Sequence, residues 1–192
     1  MKRFKRTKGI SFAALAVSAA LLCGCENAAL PFTEKLAYHE KNCTMNAEIS
    51  CGELSAQAKV TRLAKGEWEF AFTEPKELMG VAVKLGEEGV TASLGALSVT
   101  AEPSSVYNML PQIIARAVDA LPDTPADKIT EADGVLTLEN ECADGKIVVT
   151  AKKSTGELIS LKCPYQRLAV HFTEISDEVC ETADTEEVRL VE

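Results

Sequence analysis

Nothing in this sequence is suited to gripping a phosphate backbone. Twenty lysines and arginines stand against 29 aspartates and glutamates, a net charge of −9, whereas nucleic-acid binding asks for a basic face. Histidine is scarce. His39 and His171 lie 132 positions apart and share no metal-ligand spacing with any cysteine. Cys-x-x-Cys, His-Glu-x-x-His and the Asp-x-Asp-x-Asp-Gly loop are all missing, so neither a metal nor another cofactor is expected. The nearest approach to a nucleophile elbow, Thr91-Ala92-Ser93-Leu94-Gly95, lacks the first glycine and a following helix. The turn Gly86-Glu87-Glu88-Gly89 is acidic and repels phosphate. Acids such as Glu67 and Glu69 alternate as a solvated strand face rather than standing out as a glycosidase pair. A non-enzymatic protein is therefore expected, with an extracellular hydrolase the remotest alternative. Glycine (11) and proline (7) are too few, and the 46% hydrophobic content too high, for a collagen-like or disordered chain.

Long hydrophobic runs are also missing. The stretch from Ile10 to Leu22, apolar apart from two serines, spans 13 residues, about 20 Å as a helix against the ~30 Å hydrocarbon layer. It follows Lys2, Arg3, Lys5, Arg6 and Lys8. A basic head before a short apolar core reads as an export signal; an uncleaved membrane anchor is the alternative. The run closes in Leu22-Cys23-Gly24-Cys25, which resembles the lipobox of bacterial lipoprotein signal peptides. That resemblance implies a signal peptide over 1–24, cleavage before Cys25, and a diacylglycerol on the Cys25 thiol. Cys23 does not fit, because Leu22 before it is too large. Two acyl chains, at ~0.8 kcal/mol per buried CH₂, hold a protein stably at a membrane surface. Loss of residues 1–24 leaves 15 basic and 29 acidic groups, a net −14. Such a body is repelled by anionic headgroups, so the expected state is a tethered one at the extracytoplasmic face of the cell membrane.

The remainder divides into a tether over 25–35, a folded domain over 36–175 and an acidic tail over 176–192. Two-residue alternation marks strands at 44–51, 55–64, 67–74, 80–85, 90–99, around 136–138, and at 147–151, 158–163 and 168–172. Trp68, Phe70 and Phe72 share one face of the clearest strand, and Gly95 is read as a bulge or bend. One segment changes period: Val106, Met109, Leu110, Ile113, Ile114, Ala117 and Leu121 recur at three and four, a helical stripe over 104–121. Pro111 falls inside it and predicts a kink or short first turn. The fold class is α+β. A curved antiparallel sheet of about eight to ten strands carries one main helix, packed on its concave face.

The run Trp68-Glu69-Phe70-Ala71-Phe72-Thr73-Glu74-Pro75-Lys76-Glu77-Leu78-Met79-Gly80, with the closing Ser154-Thr155-Gly156-Glu157-Leu158 and Val170-His171-Phe172-Thr173-Glu174, resembles the lipoprotein-carrier (LolA-like) group. The resemblance implies a half-barrel closed by a helix over an apolar cavity that accommodates acyl chains or other lipids. Since this chain has its own anchor, a soluble shuttle is not expected.

Trp68, Phe70 and Phe72 are expected to face Met109, Leu110, Ile113, Ile114 and Ala117 across the sheet–helix interface, either as plain core or as the lining of a lipid-sized cavity. The leading reading is a membrane-anchored lipoprotein binding a lipid or other apolar small molecule. The alternative is an envelope sensor, or a domain with a filled core that binds an envelope protein. The remaining cysteines are Cys43, Cys51, Cys142, Cys163 and Cys180. Cys43 and Cys51 stand about 26 Å apart on one extended strand, too far for a disulfide. Cys142 and Cys163 need sheet curvature to meet.

Overall fold

The structure, a computed structural model, describes residues 42–142 and 145–176. The signal segment, tether and lipobox expected at the start, with His39, lie outside them, as do Cys180 and residues 177–192.

Alternation becomes eleven strands. β1 (Cys43–Cys51) buries Met45, Ala47 and Ile49 and exposes Asn46, Glu48 and Ser50. β2 (Leu54–Ala64) buries Ala56, Ala58, Val60 and Arg62; β3 (Glu67–Glu74) buries Trp68 and Phe70. β4 (Val81–Gly86), β5 (Gly89–Leu94) and β6 (Leu97–Ala101) complete one meander; β7 (Ile129–Ala132), β8 (Val135–Cys142), β9 (Gly145–Lys152), β10 (Leu158–Cys163) and β11 (Leu168–Ser176) form the other. All join one antiparallel, open sheet ordered β6-β5-β4-β3-β2-β1-β11-β10-β9-β8-β7. The count exceeds the expected eight to ten for two reasons. Residues 90–99 are a hairpin, not one strand: Gly95, at φ +58, occupies the first central position of a two-residue turn, where such a backbone favours glycine. Residues 129–132, outside the strands expected from alternation, pair with β8.

β1 is flanked by β2 and β11, so the first and last described strands meet in the middle. Register shifts fall at Thr44/Asn46, Gln57/Ala58, Arg62/Ala64 and Leu158/Ser160, on the central strands and their neighbours. Each such irregularity bends its strand and increases the twist, and a sheet this wide must curl. The result is the α+β half-barrel.

The chain leaves the sheet at one edge, β6, and re-enters at the other, β7. The connecting segment must therefore cross a face of the sheet, and its helix α1 (Leu110–Asp119) packs on the inner one. It buries Ile113, Ile114, Ala117 and Val118 against the face that buries Trp68, Phe70 and Val60. At 25 cal/mol per Å², each fully buried side chain of this size contributes about 1.5–3 kcal/mol. The helix is shorter than the 104–121 stripe, because Pro111 stands in its first turn. There a missing N–H costs nothing and the fixed φ is already helical, so proline starts the helix instead of kinking it. Residues 103–106 and 121–123 form separate 3₁₀ turns, of which the second buries Leu121.

Candidate functional site

The helix is fastened at its C-terminal end. Arg62 follows Ala58 and Val60 in the inward phase of β2, and Trp68 is its cross-strand neighbour on β3. Both reach Asp119 in the last turn of α1. Arg62 Nε donates to Oδ1 at 3.0 Å, the Trp68 indole N–H donates to Oδ2 at 2.9 Å, and the Gly66 amide donates to Oδ2 at 2.8 Å. The side chains of Arg62 and Asp119 are only 5% and 10% exposed, and the guanidinium carbon lies 5.8 Å from the Trp68 ring centroid. A carboxylate at a helix C-terminus opposes the helix dipole; here a buried guanidinium and two N–H donors offset that cost.

Two cavities open beside this clasp. One, of about 470 Å³, lies between the end of α1 and β8–β9, lined by Lys65, Arg116, Ala117, Ala120, Asn140 and Ile147 among others. The second, of about 260 Å³, lies towards β4 and β5 and is lined by Leu85, Val90, Pro103, Gln112 and Ala115 among others. Gly66, Tyr107, Arg116 and Asp119 line both, so the two adjoin along one edge of the helix. Tyr107 and Arg116 form the divider: the guanidinium sits 3.6 Å from the ring centroid, and Nη1 donates to the Tyr107 carbonyl at 2.7 Å. Exposed charge of both signs rims the opening, with Lys65 and Asp123 3.7 Å apart. Apolar walls with a few convergent polar groups are what a small amphiphile needs. Gln112 is 8% exposed; its amide nitrogen donates to the Pro103 carbonyl at 3.4 Å, and its Oε1 has no partner.

A larger groove, about 660 Å³, runs along the opposite, outer face over β2, β1, β11 and β10. Its walls mix polar side chains such as Gln57, Ser160, Lys162 and His171 with Ile159 and Ala169. Ser160, His171 and Glu48 occupy one cross-strand row there, a triad of residue types on neighbouring strands. The row adjoins the register shift at Leu158/Ser160 on β10. Ser160 Oγ pairs with Thr150 Oγ1 at 2.7 Å. Among the described residues, no group of three or more His, Cys, Asp or Glu side chains is placed to hold a metal ion.

Of the cavity residues expected from sequence, Ala117 lines the 470 Å³ cavity. Trp68, Phe70, Ile113 and Ile114 are buried core; Phe72, Met109 and Leu110 are half-buried. The open space thus lies beside the aromatic stripe, along the helix edge. Arg62, Asp119, Tyr107 and Arg116 were not anticipated. Two signals pointed to the clasp: continuing the Ala58–Val60 alternation puts Arg62 on the inner face, and a buried indole N–H needs an acceptor. Cys51 donates its thiol to the Gln166 carbonyl at 3.3 Å, at the end of β1 opposite Cys43.

No protein-family model matches the chain, and no curated protein matches it significantly. One solved structure shares its fold at a TM-score above 0.5, and others are similar more weakly. An uncharacterized conserved protein from Thermus thermophilus superposes with a TM-score of 0.51 at 10% identity, over 78% of this chain and 86% of that one. A DUF1329 family protein from Desulfovibrio piger gives 0.49 at 10% identity, over 78% and 90%. A LolA superfamily protein from Nitrosomonas europaea gives 0.40 at 9% identity, over 75% and 90%.

Proposed function

We propose that this chain is a lipoprotein held at the extracytoplasmic face of the cell membrane through a lipidated Cys25, and that its half-barrel binds a lipid or similar amphiphile without catalysing a reaction. The observation that carries the binding reading is the pair of adjoining cavities along one edge of α1, sharing Gly66, Tyr107, Arg116 and Asp119. Ala117, Ala120 and Ile147 give one cavity apolar walls, Leu85 and Val90 the other. The exposed, oppositely charged Lys65 and Asp123 give a mixed-charge mouth suited to a polar head while the apolar part lies within. The Leu22–Cys25 box and the LolA-like run at 68–80 support the same reading from sequence.

Ala120 offers a clean test, since it is exposed yet lines the larger cavity. Full-length protein in mild detergent is titrated with a fluorescent fatty-acid analogue. The unaltered chain is expected to bind it, and Ala120→Trp to weaken binding at least about tenfold, a loss of ~1.4 kcal/mol, with an unchanged melting temperature. No binding by the unaltered chain, or equal binding by both, refutes the cavity reading.

The alternative, a domain that meets another protein, is favoured by a different region: Leu94, Leu97, Val99 and Met79 are exposed together at one corner of the sheet.

A further inference from the structure

We propose that the outer edge of β6 is a self-association surface, through which a second copy of this chain continues the sheet. The two edges of the sheet differ. β7 is four residues long, carries Glu131 ion-paired to Lys153, and is bracketed by Asp127, Lys128 and Asp133. Short, charged edges of this kind block pairing with another chain. β6, at five residues, is nearly as short but carries no charge. From Gly89 to Ala101 there are thirteen residues without a charge, and on the inner face Leu97 and Val99 are 75% and 72% exposed. Among the described residues no strand pairs with its outer side.

The register sets what this edge offers. Leu94 pairs with Leu97 across the two-residue turn, Ala92 with Val99 and Val90 with Ala101. In such a hairpin these are the hydrogen-bonded pairs, and the intervening ones are not. The N–H and C=O groups of Leu97, Val99 and Ala101 thus turn towards β5, and those of Ser98 and Thr100 point outward. The segment Leu97-Ser98-Val99-Thr100-Ala101 has matching chemistry on either side of Val99: hydroxyl residues one step away, apolar residues two steps away. An antiparallel copy centred on a two-fold axis at Val99 sets Ser98 opposite Thr100 and Thr100 opposite Ser98, closing about four main-chain hydrogen bonds. Val99 meets Val99 at the close, non-hydrogen-bonded spacing, and Leu97 meets Ala101. This is an isologous contact, closed by its own symmetry.

Charge and area favour a second copy of modest affinity. Each molecule is acidic overall, at −9, and the uncharged corner is where two of them approach with least repulsion. The exposed parts of Leu94, Leu97, Val99 and Met79 amount to a few hundred Å² of apolar side chain. With the strand edge added, this stays below the ~800 Å² per partner of a stable complex. The expected dimer is transient, with a dissociation constant roughly micromolar or weaker.

The test uses the full-length chain in detergent, by sedimentation equilibrium with hydrogen exchange over a range of protein concentrations. A monomer–dimer equilibrium is expected, in which the Ser98 and Thr100 amides exchange more slowly as concentration rises. The Val99 amide, bonded within the hairpin, is slow throughout. Ser98→Pro removes an outward N–H that the monomer does not use, and Val99→Lys places charge on the axis. Each is expected to shift dissociation at least about tenfold upward while leaving the circular dichroism spectrum unchanged. A monomer at all concentrations overturns the proposal. So does a dimer indifferent to both variants, and so does protection of Ser98 and Thr100 that is independent of concentration, which would mean that another segment of the same chain covers the edge.

Discussion

A single carboxylate gathers three hydrogen bonds from the β2–β3 hairpin. Asp119 joins residues 57, 53 and 51 positions away in the chain, fixing the helix end to the β2–β3 hairpin. Removing one member of a buried ion pair strands the other, at about 3–5 kcal/mol. Asp119→Ala is therefore expected to lower unfolding free energy by about that amount in urea titrations. Trp68→Phe removes one donor to the carboxylate, about 1 kcal/mol, and adds the cost of a smaller ring in a fully buried site. An Asp119→Ala loss below about 1 kcal/mol would mean that the clasp is not the anchor described. Gln112→Leu removes a buried oxygen that has no partner and leaves stability unchanged or raised by up to about 1 kcal/mol, measurable in the same titration. Little of this was legible in the sequence. The stripe Trp68–Phe70 announces a core because period two is local, whereas the partnership of Arg62 and Asp119 depends on a chain crossing that no local pattern encodes. Asp119 also stands where the helix dipole disfavours it, so local rules point away from it.

Among the elements, the hairpin β5–β6 shows how a correct pattern was read one step too coarsely. Apolar residues fall on even numbers to Leu94 and on odd numbers from Leu97. That change of phase is what a two-residue turn produces, and it distinguishes a hairpin from a bent strand. Two glycines there differ in physical role. At Gly95 a Cβ meets nothing within 4 Å, so Gly95→Ala pays only for the φ of +58, about 1 kcal/mol. At Gly89 a Cβ lies 2.7 Å from the Ala101 carbonyl oxygen, so Gly89→Ala adds a backbone clash and costs more. Thermal melts of the two variants should rank in that order. Helix α1 was legible through its stripe of three and four, and a short turn ahead of the main helix was one of the two outcomes expected from Pro111. Its first-turn position turns the same residue into an initiator.

At the scale of the molecule, alternation with one helical interruption was enough to indicate a curved α+β half-barrel. The location of the open space was not, since it depends on how far Trp68, Ile113 and Ile114 fill the interface before the helix edge is reached. The anchoring proposal has its own test. Cys25→Ser in cells is expected to block cleavage before residue 25 and to abolish acyl labelling; a precursor still cut there, with product still sedimenting with membranes, contradicts it. The binding proposal is tested most directly by native mass spectrometry of the full-length protein purified in mild detergent. A population heavier by the mass of a discrete lipid, present in the unaltered chain and depleted in Ala120→Trp, is the predicted result. A single species at the mass of the protein and its own covalent modifications, with no adduct appearing when lipid is added, would contradict it.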